Sequence, residues 1–333
     1  MTTSPSKILI TGVAGLIGSH MAEYLLKRGH IVCGIDDLSG GYLENIPNGV
    51  YLHCGNICDK KWLQGAFKKV RPDYVYHFAA YAAEGLSPFI RNFNYSNNLL
   101  GSVNIINECI RNNVKKVVFT SSMAVYGNGH PPFTEDQRPT PEDPYGIAKY
   151  AVEMDLEQAG KQFGLNYSIV RPHNVIGIKQ NIWDKYRNVI GIWIRRVLRG
   201  ESITIFGDGE QTRAFSDIKF CLEPMERLLT EYNGQTFNLG SDREYTLNEV
   251  ANALGSIATD FDCIPQIEHL EARHEVKYAY CNHDKAKALL GFHDSTDIRE
   301  TMREMFLWAM QQTDRPVKKM DYEIDKGMYT YWR

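Results

Sequence analysis

The sequence predicts an α/β fold in which a doubly wound parallel sheet is joined to a smaller, mixed α/β domain. Three observations carry this prediction. Short apolar runs alternate with helical patterns in the first half, a glycine-rich turn joins the first such pair, and the alternation stops after Pro172. The length of 333 residues suits two domains. A hydrophobic content of 43% is ordinary for a folded chain, so a sizeable buried core is expected.

Six apolar runs predict strands that are buried on both faces, because they are nearly continuous in branched and aromatic residues. They span residues 7–11, 31–35, 50–53, 74–78, 116–121 and 167–171. Helical patterns lie between them at residues 17–28, 60–70, 97–112 and 144–163. Such alternation is typical of a parallel sheet with helices on both faces.

After Pro172 the segments become shorter and mixed. Helices are predicted at residues 184–199, 247–257, 284–290 and 298–311, and residues 236–239 are expected to return to the sheet. The predicted domains are residues 1–172 with a return segment near 213–240, then residues 173–212 together with 241–313. Residues 314–333 form a C-terminal tail with aromatic residues among charges, which we expect to dock on the body or on a partner subunit.

A glycine-rich turn follows the first predicted strand. Gly12, Gly15 and Gly18 are spaced for a tight turn, a close approach of the backbone to a pyrophosphate and close helix packing. The helix opens with Leu16 and Ile17, and its first N–H groups offer a partial positive charge to phosphates. This order of strand, turn and helix is typical of a Rossmann dinucleotide-binding unit.

Asp36 ends the second predicted strand, 18 residues after Gly18, and Asp37 follows it. A carboxylate at this place accepts hydrogen bonds from ribose hydroxyls and repels a 2′-phosphate. No Arg or Lys lies between Ile31 and Val50 to bind such a phosphate. NAD is therefore the predicted cofactor, rather than NADP.

Tyr145 and Lys149 are four residues apart on the predicted helix that starts at Pro144, so their side chains share one face. A tyrosine with its ordinary pKa of roughly 10 is a poor base at neutral pH. A nearby ammonium and a positively charged nicotinamide would favour the phenolate. Tyr145 is thus predicted to take a proton from a hydroxyl while hydride leaves the same carbon, and Lys149 to hold the nicotinamide ribose as well.

Three hydroxyl side chains follow one buried strand: Thr120, Ser121 and Ser122. Ligands bind at the carboxyl ends of strands in open α/β sheets. We predict that Ser122 bonds the reacting hydroxyl and shares its proton with Tyr145, whereas the other two hydroxyls cap the strand.

These motifs together resemble the extended short-chain dehydrogenase/reductases, specifically the NAD-dependent nucleotide-sugar epimerase/dehydratase family, over residues 7–312. The resemblance rests on TGVAGLIGSH, HFAA, PYGIAKYAVE, RPHNVIG and FGDGEQTRAF. It implies a cofactor site that also includes Asn56 and Ile57 beside the adenine, Phe78, Ala79 and Ala80 along the far side, and Asn98 near the same site.

The resemblance also implies a substrate site. Asn174 is expected near the diphosphate and Arg213 on the nucleotide phosphates, for which a guanidinium fork is well suited. Glu84, Asn188 and Arg273 are the remaining expected contacts. The family pattern is not followed everywhere. The family has a pair of aspartates after Arg213, whereas here the acid stands earlier, at Asp217. Arg273 lies one residue nearer to its acid, Glu275, than the corresponding arginine of the family does.

The implied first step is oxidation at sugar C4. In the family's 4,6-dehydratases two acids follow the strand-end hydroxyls, whereas here Met123 and Ala124 fill those places and neither moves a proton. This favours 4-epimerisation of a nucleoside-diphosphate sugar, with UDP-hexoses first and UDP-uronates and GDP-sugars open. The alternatives are a C4 dehydrogenase or 4-ketoreductase, then a 4,6-dehydratase. A non-catalytic NAD-sensing protein is the alternative from another class.

Composition excludes other classes. A net charge of −3 gives no general electrostatic case for nucleic acid or a membrane surface, and the first six residues lack the apolar core of a signal peptide. Seven dispersed cysteines without a CxxC pair favour reduced thiols in the cytoplasm and no metal site. The resemblance implies a homodimer through the predicted helices 97–112 and 144–163.

Overall fold

The structure is a computed structural model and describes residues 5–273 and 276–332. Its strands lie between residues 7 and 279. They are β1 (Lys7–Thr11), β2 (Ile31–Asp36), β3 (Tyr51–Cys54), β4 (Tyr74–His77), β5 (Lys116–Thr120), β6 (Tyr167–Pro172), β7 (Val175–Ile176), β8 (Ile203–Phe206), β9 (Thr212–Ala214), β10 (Ser216–Asp217), β11 (Gln235–Leu239), β12 (Glu244–Thr246), β13 (Ile267–Leu270) and β14 (Tyr278–Ala279).

Helices alternate with the strands in the first half and are interspersed with them later. They are α1 (Leu16–Lys27), α2 (Lys60–Val70), α3 (Arg91–Tyr95), α4 (Gly101–Arg111), α5 (Pro144–Phe163), α6 (Val189–Leu198), α7 (Ile218–Arg227), α8 (Leu247–Thr259), α9 (Asp284–Leu290) and α10 (Ile298–Met310). A π-helical turn, Ser96–Leu100, joins α3 to α4. None of the helices in the described ranges has the length and apolarity that crossing a membrane requires.

The largest sheet has seven strands in the order β11-β6-β5-β4-β1-β2-β3, and every neighbouring pair is parallel. Side chains alternate across it: Ile8 and Ile10 face one apolar layer, and Leu9 faces the other. Residues of α1, α7 and α9 build the first layer, and residues of α2, α4 and α5 build the second. The predicted doubly wound sheet is confirmed.

A second lobe has its own apolar cluster, in which Trp193 of α6 packs with residues of α8 and α10. Small sheets border it, in the orders β12-β9-β14, β13-β8 and β10-β7. The predicted domain boundary at residue 172 stays a prediction. Beyond it, β11 joins the main sheet and α7 packs on the sheet, both within the predicted return segment. Helix α9 packs there too, although it lies outside that segment.

The predicted strands agree with the observed ones to within a residue at each end, and β11 confirms the expected return to the sheet. The helices differ in four places, the first of which is the short helix α3, which was not predicted. The helix predicted at 97–112 is a π-helical turn followed by α4, and the one predicted from residue 184 begins only at Val189. Helix α7 was not predicted, because Pro224 lies inside it and proline usually ends a helix.

The sheet order places the functional loops at one edge. The chain crosses from β3 to β4 on the other side of β1, so the order reverses between β1 and β4. Ligands of such sheets bind beyond the carboxyl ends of the strands at this reversal. Thr11, Asp36, His77 and Thr120 end the four strands around it.

Candidate functional site

A cleft of about 740 Å³ lies at this edge of the sheet and continues between the two lobes. It brings together most of the residues that the sequence predicts for the site. Those that line it are Gly12, Gly15, Leu16, Ile17, Asp36, Asp37, Ile57, Phe78, Ala79, Ala80, Glu84, Ser122, Tyr145, Lys149, Asn174, Asn188, Arg213 and Arg273.

Asn56 and Asn98 lie behind the lining. The Asn56 amide donates to Asp37 Oδ2 at 2.8 Å, and its Oδ1 accepts from the backbone of Cys58. Asn98 is buried and bonds both the N–H and the C=O of Tyr81. Both amides thus hold segments that line the cleft, and direct contact with a cofactor stays a prediction for each.

The glycine turn forms a close-fitting cradle. Gly12 has a φ of +74°, and a Cβ on it would lie 2.8 Å from the backbone nitrogen of Ala79. A Cβ on Gly18 would lie 2.1 Å from the carbonyl oxygen of Gly12, so α1 packs against the turn only with glycine there. Gly15 is the N-cap of α1 and offers no side-chain acceptor to the first N–H groups. These amides at the cleft fit a diphosphate, as a bound dinucleotide requires.

Asp36 is anchored next to this cradle. Its Oδ2 accepts from the N–H of Ala14 at 2.9 Å and its Oδ1 from the N–H of Leu38 at 2.8 Å. Burial raises the pKa of the Asp36 carboxyl above its ordinary value, and the two backbone hydrogen bonds oppose the rise. The carboxylate is therefore fixed in direction at the cleft wall, where ribose hydroxyls of a dinucleotide would find an acceptor.

Tyr145 lies in the first turn of α5, and local structure fixes it there. Pro144 suits the first helical position, and Asp143 caps the helix by accepting from the N–H groups of Tyr145 and Gly146 at 2.8 and 3.0 Å. The Ser87 hydroxyl donates to the same carboxylate oxygen at 3.2 Å. The loop of Ser87 and the start of α5 are thus held together.

Lys149 lies one turn further along α5, as predicted. Its Nζ donates to the carbonyl oxygen of Thr120 at 2.8 Å and is 5.7 Å from the centroid of the Tyr145 ring. Burial lowers the pKa of the Lys149 ammonium to about 7, against the raising effect of the Glu153 carboxylate. Its positive charge is therefore sensitive to pH near neutrality.

Ser122 and Tyr145 both line the cleft, and the side chain of Ser122 lowers the pKa of the Tyr145 hydroxyl. Burial raises the pKa of Tyr145 well above its ordinary value, and the Ser122 hydrogen bond only partly offsets this. The sequence led us to expect that Lys149 favours the phenolate. Among the protein's own groups, burial outweighs the favourable contacts, so the phenolate depends on further positive charge brought into the cleft.

The neighbouring hydroxyls have different partners. Ser121 donates to Glu153, whose carboxylate also accepts from Arg171 Nε at 2.9 Å, and all three side chains are buried. Ser122 lines the cleft together with Tyr145 and lowers the pKa of its hydroxyl. The geometry therefore supports Ser122 as the serine available to a reacting hydroxyl, while Ser121 belongs to the buried ion pair behind β5.

The second lobe supplies polar groups to the far end of the cleft. Asn174 donates to the carbonyl oxygen of Ala214 at 3.0 Å, and Asn188 caps α6 through its Oδ1. The Arg213 guanidinium donates to the carbonyl oxygen of Thr212 at 2.8 Å, and that of Arg273 lies 4.4 Å from the centroid of the Phe206 ring. Two guanidinium groups at one end of the cleft suit a substrate that carries phosphates.

The acid at position 217 has a structural contact set. Asp217 caps α7 by accepting from the N–H of Lys219 at 2.9 Å, and it accepts from the Thr301 hydroxyl at 2.9 Å. It is buried and does not line the cleft within the described ranges. The other departure, at Glu275, lies outside the described residues.

Sequence reasoning missed an aromatic wall. Tyr329, Tyr331 and Trp332 of the tail line the cleft together with Arg187 from the loop before α6. The many aromatic residues of the tail were the sequence signal for this wall. They predicted that the tail docks, but not that it docks at the cleft. The tail docks on the body of its own chain.

Comparisons with known proteins agree with this site. Residues 8–240 match the model of the NAD dependent epimerase/dehydratase family. The chain is 30% identical over 319 residues to UDP-N-acetyl-alpha-D-glucosaminuronate decarboxylase of Bacillus cytotoxicus, a match that covers 91% of this chain and 97% of the relative.

Solved structures show the same fold. UDP-glucose 4-epimerase from Thermotoga maritima, solved with UDP-glucose, is 32% identical with a TM-score of 0.85, covering 91% of this chain and 98% of that one. UDP-glucose 4-epimerase from Thermus thermophilus, in complex with NAD, is 29% identical with a TM-score of 0.86, covering 92% and 99%. The chain therefore belongs to the NAD-dependent epimerase/dehydratase family.

Proposed function

We propose that this protein is an NAD-dependent 4-epimerase of a nucleoside-diphosphate sugar, with UDP-hexoses as the first candidate substrates. One observation carries the proposal. Tyr145, Ser122 and Lys149 meet in the cleft that holds the glycine cradle, while the next cleft-lining residues, Met123 and Ala124, have no ionisable side chain. The site can move a proton at one hydroxyl but lacks, at these positions, the acids that elimination of water requires.

Bound NAD would supply a hydride acceptor that can later return the hydride to the other face of the sugar. The chain's own residues do the rest. The Tyr145 phenolate would take the proton from the C4 hydroxyl, and Ser122 would bond the same oxygen and direct the proton to the phenolate. The Lys149 ammonium and the positive charge of a bound nicotinamide would together stabilise the negative charge of the phenolate. Tyr145 would give the proton back after the sugar has turned over.

Arg213 and Arg273 would hold the phosphates, because guanidinium groups bind phosphate oxygens bidentately. The named relatives act on or bind UDP-sugars, which favours uracil as the base. A GDP-sugar stays the alternative.

The alternatives are two other reactions at the same three residues and one other class of substrate. A C4 dehydrogenase or 4-ketoreductase would change the amount of NADH in solution, whereas an epimerase recycles it. A UDP-uronate is the second candidate substrate, since Lys185 and Arg187 line the cleft and one relative is a decarboxylase. A 4,6-dehydratase is disfavoured by Met123 and Ala124.

The test is incubation of the protein with UDP-, GDP- and dTDP-sugars, followed by proton NMR of the sugar and by NADH absorbance. We expect a mixture of C4 epimers without net NADH. Loss of CO2 from a UDP-uronate to give a UDP-pentose, formation of a 4-keto-6-deoxy sugar, or stoichiometric NADH would each contradict the epimerase.

The matched variants are Tyr145→Phe and Tyr150→Phe. Loss of the Tyr145 hydroxyl should lower kcat at least about a hundredfold, the size of a general acid–base contribution, while NAD stays bound. Tyr150 lies one residue past Lys149 but packs against the cluster around Val125, so its variant should keep full activity. Equal activity in both variants would exclude the proton-transfer role.

We also propose a homodimer in the cytoplasm. Exposed apolar side chains lie on neighbouring packed elements: Phe93 on α3, Leu100 on the π-helical turn, and Ile147 and Met154 on α5. Such a surface stripe is typical of a protein interface. All cysteines of the described residues are free thiols, which supports a reducing compartment.

A further inference from the structure

We propose that the tail, residues 314–332, is part of the substrate site: Trp332 closes the end that holds the sugar, and Tyr331 closes the end that holds the nucleotide. This inference rests on the proposed function for the identity of the ligand. Its structural basis is the position of the tail, which places Tyr329, Tyr331 and Trp332 in the lining of the cleft.

The tail is attached to both sides of the cleft. The backbone N–H of Lys318 donates to the carbonyl oxygen of Trp183 at 3.0 Å, and the Lys318 Nζ donates to the carbonyl oxygen of Ser39 at 2.6 Å. The Glu323 carboxylate accepts from the N–H groups of Asn92 and Phe93 at 2.7 and 2.8 Å. The tail is therefore held to the body at two points, and the residues that line the cleft follow the second of them.

Trp332 is fixed by both its ring and its backbone. The side chain is buried, with ring centroids 5.4 Å from Tyr186 and 6.1 Å from Phe89. Its carbonyl oxygen accepts from Lys185 Nζ at 3.1 Å and from the Tyr322 hydroxyl at 2.9 Å. A tryptophan held at this many points serves as a rigid wall.

The wall at Trp332 faces the reacting end. A Cβ built on Gly85 would lie 3.5 Å from the Trp332 ring, and Gly85 lies in the segment that includes Glu84 and Ser87. The Ser87 hydroxyl is 3.2 Å from the backbone nitrogen of Tyr145. Trp332 thus lies against the segment that packs on the catalytic tyrosine, which we call the sugar end.

Tyr331 lies at the other end. Its ring is 5.5 Å from that of Phe206 in an edge contact, and its hydroxyl accepts from Arg196 at 3.0 Å. Phe206 in turn carries the Arg273 guanidinium on its ring face. Tyr331 therefore belongs to the group of side chains at the guanidinium-rich end, which we call the nucleotide end.

The chemistry of these rings fits such a ligand. Aromatic faces bind nucleobases by stacking and bind the C–H faces of a pyranose, and they exclude water. Excluding water from the sugar end protects a ketone intermediate while it turns over. The tail adds its rings to those of Phe89, Tyr186 and Phe206, which line the same cleft.

The experiment compares affinities for UDP and UDP-glucose, and for GDP and GDP-mannose, by calorimetry on the NAD-loaded full chain. Tyr331→Ala should weaken binding of the nucleotide and of its sugar conjugate alike by about tenfold, the size of one aromatic–base contact. Trp332→Ala should weaken only the sugar conjugate, because UDP alone does not reach the sugar end. Tyr331→Phe keeps the ring and should restore most of the affinity.

Lys326→Ala is the matched control: it is an exposed tail residue and should bind all probes as the wild type does. Wild-type affinities in both alanine variants, with thermal unfolding unchanged, would overturn the role of the tail. A wild type that binds the nucleotide sugars but turns none of them over would contradict the proposed epimerase and still leave the tail comparison readable. A wild type that binds none of the probes would contradict both.

Discussion

At the scale of single residues, Asp36 and Asp37 show how two adjacent acids differ. Asp36 faces the cradle and is held by the N–H groups of Ala14 and Leu38. Asp37 is held by the N–H of Ser39 and by the Asn56 amide. Both line the cleft. The sequence predicts a ribose-binding carboxylate at the end of β2. The hydrogen bonds of the structure add that the two adjacent carboxylates have different partners.

Asp36→Asn should therefore relax the choice of cofactor. The amide keeps one acceptor oxygen but loses the charge that repels a 2′-phosphate, so the affinity for NADP relative to NAD should rise about tenfold or more. Calorimetric titration with both dinucleotides measures this ratio. Asp37→Asn is the comparison and should change the ratio less. An unchanged ratio in Asp36→Asn would mean that another group selects the cofactor.

At the scale of elements, a buried histidine pair joins three parts of the chain. His173 follows β6 and His283 precedes α9. Their Nε2 atoms are 2.7 Å apart, and the rings are stacked. Asp242, which precedes β12, accepts from His283 Nδ1 at 2.8 Å. A Cβ on Gly240 would lie 1.9 Å from His173, so the end of β11 packs directly on this pair.

This pair gives folding stability a defined pH dependence. Burial, and to a smaller extent the nearby His283, lower the pKa of His173 to about 3. Above about pH 6.5 both the folded and the unfolded chain hold His173 neutral, whereas below it only the unfolded chain takes up the proton. The free energy of unfolding should fall by about 1.4 kcal/mol per pH unit for this group as pH drops from 6.5 towards 3.

Urea unfolding of wild type and His173→Gln between pH 5 and 7 tests this. The variant will be less stable, but its stability should change less with pH than that of the wild type. The exposed His293 is the control, and His293→Gln should run parallel to the wild type. Parallel curves for His173→Gln would show that the buried imidazole is not the group responsible.

Elements with a strong local signal were predictable from the sequence. The buried strands are continuous apolar runs, and α5 starts with a proline after a capping aspartate. Helix α7 was not predicted because Pro224 lies within it and proline usually ends a helix. The helix forms nevertheless, since Asp217 caps its start and its apolar face is buried. Helix α6 was placed five residues early, because the cap at Asn188 depends on a loop conformation that spacing does not encode.

At the scale of the whole molecule, the two-lobed shape follows from the sequence pattern, but the contacts of the tail do not. Glu323 meets Asn92 and Phe93 across more than two hundred residues of sequence. No periodicity carries such long-range pairing. The cradle and the Tyr–Lys pair were predicted because each consists of residues close together in the sequence. The aromatic wall of the same cleft was not predicted, because it depends on contacts between distant parts of the chain.

The predicted homodimer belongs to this scale as well. Ile147 and Met154 are seven residues apart on one face of α5, with Leu100 on the adjoining turn. Replacing Met154 by Asp places a charge in the proposed interface, so we expect the dimer to dissociate at micromolar concentration in light scattering after gel filtration. Ile264→Asp, at an exposed apolar residue elsewhere, should leave the assembly unchanged. A monomeric wild type would contradict the dimer.

The hydrogen bond from Lys318 to Ser39 has a consequence for the rate at which a bound dinucleotide leaves the protein. Ser39 lies in the loop after Asp36, and Arg315 pairs with Glu44 just beyond it. A dinucleotide leaving past this loop would first have to break those bonds. We therefore expect slow dissociation, so that one coenzyme molecule serves many catalytic cycles and is still present after purification.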